Sequence, residues 1–412
     1  MFAACGLAAC NSVDLREPGV SGGGGSTAAT STTSSSTSTA TAGGAGGEAG
    51  ARPCHDSAWI QASEAGAPEG RDYGVVASAG DLCIWSGSQV QPADPIETVM
   101  TDGGCYDRET ASWRPMSPVG APSPRVLASA SWTGTEILVW GGKHYYLYCP
   151  SPDGCPAGPG NNSGARYNPG TDAWAPMSPI GAASPRWGQS TVWTGAEMIV
   201  WGGEYPGSEY GDGARYNPAL DTWLPIANTG APSPRTDHFA AWTGSAMLVW
   251  GGHHEDPASS ALADGALYDP AADSWTPLDS TGAPAPRWYA ATAYGAGRLF
   301  VWGGAPEDSS TKGFADGYAY SIATNIWTPL PASPLSARRL PLGAWTGKRF
   351  LVWGGLDDDG ERVSDGALYD PITSTWAPTP PCGPSDSFNV QAVTTPSGVA
   401  LYRSELWFLD EP

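Results

Sequence analysis

The stretch Trp242-Thr243-Gly244-Ser245-Ala246-Met247-Leu248-Val249-Trp250-Gly251-Gly252 decides how this chain is built. It reads as a strand end, a Thr-Gly turn, a second apolar strand and a Gly-Gly break. Relatives run from Trp132 to Gly142, Trp193 to Gly203, Tyr294 to Gly304 and Trp345 to Gly355. A worn copy runs from Gly80 to Gly87, with Ser86 in place of the first glycine. Each copy is followed by Asp-Gly-Ala-Leu-Tyr-Asp-Pro (264–270) or a variant, and then by Trp-x-Pro. Repetition of one supersecondary unit outranks local propensity, because each unit can bury its apolar face only against the next.

Composition points the same way. The 55 Gly, 39 Pro and 20 Trp among 412 residues favour many short strands joined by turns. Forty-one Asp and Glu against 20 Lys and Arg leave a formal charge of −21, which excludes a nucleic-acid backbone as partner. No run of 18 apolar residues could span a membrane as a helix.

The Trp-x-Pro tryptophans are Trp113, Trp174, Trp223, Trp275, Trp327 and Trp376, separated by 61, 49, 52, 52 and 49 residues. With a Gly-Gly doublet after strand two, an aromatic on strand three and a tryptophan on strand four, residues 57–412 resemble the kelch repeat, whose period is roughly 50. The resemblance implies an all-β propeller of four-stranded blades packed face to face. Six complete copies fall near 67–116, 121–177, 182–226, 231–278, 283–330 and 335–378. Two fragments remain. Segments 388–393, 398–402 and 406–409 supply three strands, and Ser57-Ala58-Trp59-Ile60 supplies a strand-four tryptophan. Joined, they make a seventh blade in which the N-terminal strand completes the C-terminal blade and removes an exposed edge. Six blades with ragged ends would leave Trp59 and Trp407 without a place.

The N-terminal Leu7-Ala8-Ala9-Cys10 resembles the lipobox of bacterial lipoproteins, with Cys10 as the lipidated residue behind a partial signal at 1–10. Residues 11–53 form a Gly/Ser/Thr/Ala tract that cannot bury a core and suits a flexible tether, so the propeller occupies 54–412. An exported, membrane-anchored protein, periplasmic or at the cell surface, retains disulfides. Cys149 and Cys155 bracket a short insertion, and Cys83 and Cys105 fall on adjacent strands of the first blade. Cys54 and Cys382 remain as the third pair.

Residue types present in every blade serve the blade, whereas departures are free for other work. Of the 20 tryptophans only Trp187 and Trp288 lie outside the repeated positions. They come directly after Arg186 and Arg287, two members of an arginine series (Arg71, Arg125, Arg186, Arg235, Arg287, and Arg338 or Arg339) for which a structural role at each blade entry outweighs an anion-binding ring. The fourth blade, between those two tryptophans, carries Asp237-His238 at its entry and His253-His254-Glu255 in its long loop. Tyr205 and Tyr289 lie nearby in the pattern. The two-to-three loops are long and unlike one another and share a face with the strand-one entries, so ligand contacts are expected there. Flat rings beside polar groups suit a glycan or an aromatic-anchored peptide. The bland alternative is two extra core tryptophans and a solvated acidic loop.

Copper radical oxidases and a sialic-acid epimerase share this kind of propeller, so a carbohydrate-active enzyme on the same face is the competing class. The oxidase chemistry needs a cysteine joined to a tyrosine, whereas every cysteine here has another use. No catalytic set, metal site or cofactor motif is expected. The sequence therefore points to a lipid-anchored, monomeric binding or scaffolding module for a protein or glycan. Its only membrane contact would be the anchor.

Overall fold

A computed structural model describes residues 59–79, 81–91, 94–143, 161–206, 208–254, 260–306, 312–381, 383–384 and 390–411. The tether, Cys10, Cys54, Cys149, Cys155, Cys382 and Glu255 lie outside them.

The Thr-Gly turn folds Phe239–Trp242 back on Met247–Trp250, placing Phe239 opposite Trp250. Beyond the Gly-Gly break the chain returns as Gly265–Asp269 and then Ser274–Pro277. The same four-stranded antiparallel meander recurs in complete blades at 75–115, 129–176, 190–225, 239–277, 291–329 and 342–378. The seventh blade takes Gln391–Thr395, Gly398–Tyr402 and Leu406–Asp410 from the C-terminal end. Trp59–Gln61 completes it as the outer strand, with Trp59 opposite Leu409 and Gln61 opposite Trp407. First strands pack side by side from the first blade to the fourth and from the fifth to the seventh, and Gln391–Thr395 lies against both Leu342–Trp345 and Val75–Ala79. The ring is closed and has seven blades.

The seams are built from the repeated aromatics. In four blades the strand-two tryptophan packs on the strand-four tryptophan of the next blade: Trp85 on Trp174, Trp140 on Trp223, Trp201 on Trp275 and Trp250 on Trp327, at 5.4–5.6 Å. Trp353 meets Trp59 in the same way at 4.8 Å. A second link runs beside the first. The indole N–H of Trp174 donates to Ser117 O, four residues past the preceding blade's own tryptophan. Trp223, Trp275, Trp327 and Trp376 repeat the bond to Ser178, Ala227, Asp279 and Pro331. Trp113 donates to Ser63 O and Trp59 to Pro380 O, so the N-terminal strand supplies two of the seven links. Asp172, Asp221 and Asp273 each accept a tyrosine hydroxyl from strand three and a backbone N–H from the preceding blade's connection. Each connection therefore starts beside the next blade's three-to-four turn before it climbs to the strand-one entry.

Cys83 and Cys105 face each other across strands two and three of the first blade and form a disulfide within the core. Closing a loop of that separation contributes about 3 kcal/mol by constraining the unfolded chain.

Closure by Trp59 gives the first prediction. Trp59 is 5% exposed and joins two seam contacts, so Trp59→Ala should cost about 3–5 kcal/mol. Ile60→Ala, at a site 47% exposed, should cost under about 0.5 kcal/mol. Denaturant unfolding of both variants checks this; equal costs would separate the N-terminal strand from ring stability.

Candidate functional site

In each complete blade the Gly-Gly break (Ser86-Gly87 in the first) bends strand two but does not end the pairing. Gly203 and Gly252 hold φ of 89° and 85°. A Cβ on Gly203 would sit 2.6 Å from Trp187 O. Beyond the break one further pair forms with the residue after the entry arginine. The pairs are Asp72 with Ser88, Val126 with Lys143, Trp187 with Glu204, Thr236 with His253, Trp288 with Ala305 and Arg339 with Leu356. They differ in every blade while the backbone beneath them repeats. Past the pairs, short hairpins rise in the first, third and fourth blades (Ser88–Gln91 with Asp94–Val99, Glu204–Tyr205 with Ser208–Glu209, His253–His254 with Ser260–Ala261).

The entry arginines hold this mouth together. Arg235 Nε donates to Ser233 O, and its Nη1 donates to Gly251 O on the break. Its Nη2 reaches Asp264 just before strand three. Arg71, Arg186, Arg287 and Arg338 repeat the pattern on Asp102, Asp212, Asp316 and Asp365. Arg125 meets Ser163 instead of an aspartate, and burial without a facing carboxylate pushes its pKa down to about 10. Arg186 and Arg287 are 0% and 3% exposed and are committed to this latch. Arg338, not Arg339, is the sixth member.

The third to fifth blades bring most of the remaining candidates together. Trp187 is 5% exposed, and its indole N–H donates to Glu204 Oε1 at 2.6 Å. The Lys143 ammonium of the second blade lies 4.9 Å from its ring, and Tyr205 packs at 5.9 Å. Trp288, equally buried, stacks on His253 at 4.1 Å, with Tyr289 tilted beside it at 5.5 Å. Both extra tryptophans therefore wedge into seams and present no open face. Asp237, at φ 53°, turns its carboxylate into the same seam, with Oδ2 3.8 Å from His253 Nδ1. Asp237, Phe239, His253, Trp288, Tyr289 and Thr292 line a cavity of about 50 Å³ between the fourth and fifth blades. His254 stands outside it and meets Ser233 Oγ at 3.3 Å.

His238 is drawn away from the mouth. It is fully buried, bonds Ser190 Oγ through Nε2 at 2.7 Å and packs edge-on against Trp201. Desolvation, with Arg235 and His253 nearby, pushes its pKa down to about 3. Burial likewise lowers His253 to about 4, against a small opposing pull from Glu209. Both rings are neutral at pH 7. Although His238 and Ser190 form a hydroxyl–imidazole pair, both are sealed from ligands, so the pair serves the third-to-fourth blade seam. Gln189, at the matching place one blade earlier, makes the corresponding bond to Ser129. Among the described residues no three His, Cys, Asp or Glu side chains converge on a metal position.

Sequence reasoning missed Glu204 and Lys143 as partners of Trp187, and the pairing role of the residue just after Gly-Gly. That position was visible as the one that changes in every copy between constant flanks. Gly188 was also missed. It takes the left-handed backbone used at the matching point of the other blades, and a Cβ there would lie 2.2 Å from Thr236 Oγ1.

A family model described as the KLHDC2/KLHL20/DRC7 Kelch-repeats domain matches residues 153–339, the span that contains the third, fourth and fifth blades. No curated protein matches the chain.

The buried histidines predict acid lability. Their folded pKa values lie below the free value, so their contribution is present above about pH 6.5 and falls as pH drops toward 4. Each can shift the folding equilibrium by up to about tenfold per pH unit in that window. His238→Gln keeps a partner for Ser190, as Gln189 does for Ser129, and should flatten the stability–pH curve measured by denaturant titration. An unchanged slope would contradict the assignment.

Proposed function

We propose that this chain, a seven-bladed kelch-repeat β-propeller, is a binding or scaffolding module whose ligand lies across the mouth of the long-loop face. The observation that carries this reading is the ring of six unlike pairs set on a repeated latch. Variation confined to positions that an invariant frame holds rigid is the arrangement expected of a recognition surface. In the fourth and fifth blades it gathers Asp237, His253, Trp288 and Tyr289 about one shallow cavity.

The depth of that cavity favours binding over turnover. A volume of about 50 Å³ admits one small group and leaves the rest of a ligand on the surface, far below the usual enclosure of a small-molecule site. The ligand is a protein or a glycan held across several blades.

The protein is exported and anchored by lipid at Cys10, with residues 11–53 as tether. The Leu7-Ala8-Ala9-Cys10 sequence and the Cys83–Cys105 disulfide support this, since such bonds persist in oxidising compartments. Two acyl signals at Cys10 would make the membrane contact stable, and the acidic propeller would add none.

Two measurements test the proposal. Glycan and peptide arrays probed with the full chain should give hits that weaken at least tenfold in Glu204→Ala or His253→Ala and persist in Glu109→Ala, on a three-to-four turn. Hits indifferent to the mouth variants would overturn the face. Metabolic labelling with palmitate in a bacterial host should mark the protein and be lost in Cys10→Ser; labelling that survives would overturn the anchor.

A further inference from the structure

We propose that the cavity between the fourth and fifth blades takes a cationic side chain, lysine or arginine, from a protein ligand. The inference rests on the long-loop face being the ligand side, and it names the chemistry that side selects.

The first observation is how the latch divides its charges. The entry arginines have side chains 0–1% exposed, whereas their partners Asp102, Asp212, Asp264, Asp316 and Asp365 are 45–61% exposed. One blade after another therefore offers a carboxylate oxygen to a ligand and withholds the guanidinium donors. The formal charge of −21 adds attraction for a basic partner over distances near the Debye length.

The second observation is the cavity itself. The Asp237 side chain is 3% exposed in its wall, which places a carboxyl group in a partly desolvated setting. The half-buried Tyr289 lines it with aromatic surface, backed by Trp288 and His253. A carboxylate among aromatic rings suits an ammonium or guanidinium through ion pairing and cation–π attraction. Arg287 also borders the cavity, but its own charge is matched by Asp316 at 2.9 Å. About 50 Å³ holds a few water-sized groups, the bulk of such a head group.

A glycan fits less well. Stacking of a sugar needs an exposed ring face, and the two tryptophans set at the mouth are each only 5% exposed.

The test uses the full chain and titration calorimetry with four probes: a glycine/serine dodecapeptide carrying three lysines, the same peptide with those lysines acetylated, the same peptide with glutamates in their place, and a neutral chito-oligosaccharide. The lysine peptide should bind saturably and weaken at least tenfold between 50 and 300 mM salt. Asp237→Asn, which keeps a residue tolerant of left-handed backbone, should weaken it at least tenfold with an unchanged thermal melt. Glu109→Gln should leave it unchanged. Equal binding of the acetylated peptide, indifference to salt, or full binding by a folded Asp237→Asn variant would overturn the proposal. Should only the oligosaccharide or the glutamate peptide bind, with affinity lost in His253→Ala, the cationic ligand is refuted while the face stands. Lysine-peptide binding that survives His253→Ala and Asp237→Asn alike refutes both.

Discussion

Seven indole N–H groups, one per blade, donate to carbonyls of the preceding blade, and the rest of the molecule depends on that ring. Each bond joins the tryptophan of one outer strand to the chain leaving the previous outer strand, so it fixes the spacing and tilt of neighbours at once. The indole is well suited to the task because one side chain supplies apolar area for the seam and a single donor for its edge. Removing one link leaves a seam with a void and an orphaned carbonyl, and a closed ring cannot relax at one seam without opening another. The N-terminal strand takes part twice, through Trp59 as donor and Ser63 as acceptor, although it contributes only three residues to a sheet.

With the outer seams fixed, the inner entries can be specified by the arginine latch. A guanidinium at each entry ties its own upstream carbonyl, the glycine break of strand two and the approach to strand three. That satisfies backbone groups which the bend at the break removes from the sheet ladder, in a place too buried for water to replace them. The consequence for function is positional. Pairing continues one step past the break, and the loop residues beyond that step differ from blade to blade without disturbing the frame. The same arrangement turns the carboxylates outward, which gives the face its chemical character.

Much of this was legible in the sequence. The period, the four strands of each blade and the closing seventh blade followed from Trp59 and Trp407 having no other place, and the Cys83–Cys105 pair followed from its strands. The structural role of the arginines followed from their recurrence. What the repeat pattern did not reveal was depth. Trp187 and Trp288 broke the pattern, which marked them as free of the blade, yet both fill seams at the mouth. A one-dimensional departure cannot tell a ring that faces solvent from one that donates to Glu204 within a seam or stacks on His253. His238 was hidden for the same reason: its position matched the mouth, while its side chain turned to the neighbouring blade's Ser190. The pairs past the break required the bend itself, since two positive-φ glycines read in sequence as the end of a strand.

Hydrogen–deuterium exchange resolved to single residues tests ring closure most directly. If the N-terminal strand closes the seventh blade, the amides of Ile60 and Ala62, which sit at the hydrogen-bonded positions of its ladder, and the Trp59 indole should exchange as slowly as Leu406–Asp410 and open together with them. Rapid exchange at Ile60, Ala62 and the Trp59 indole beside a fully protected Leu406–Asp410 would show the ring holding without its seventh link, and would contradict ring closure by the N-terminal strand.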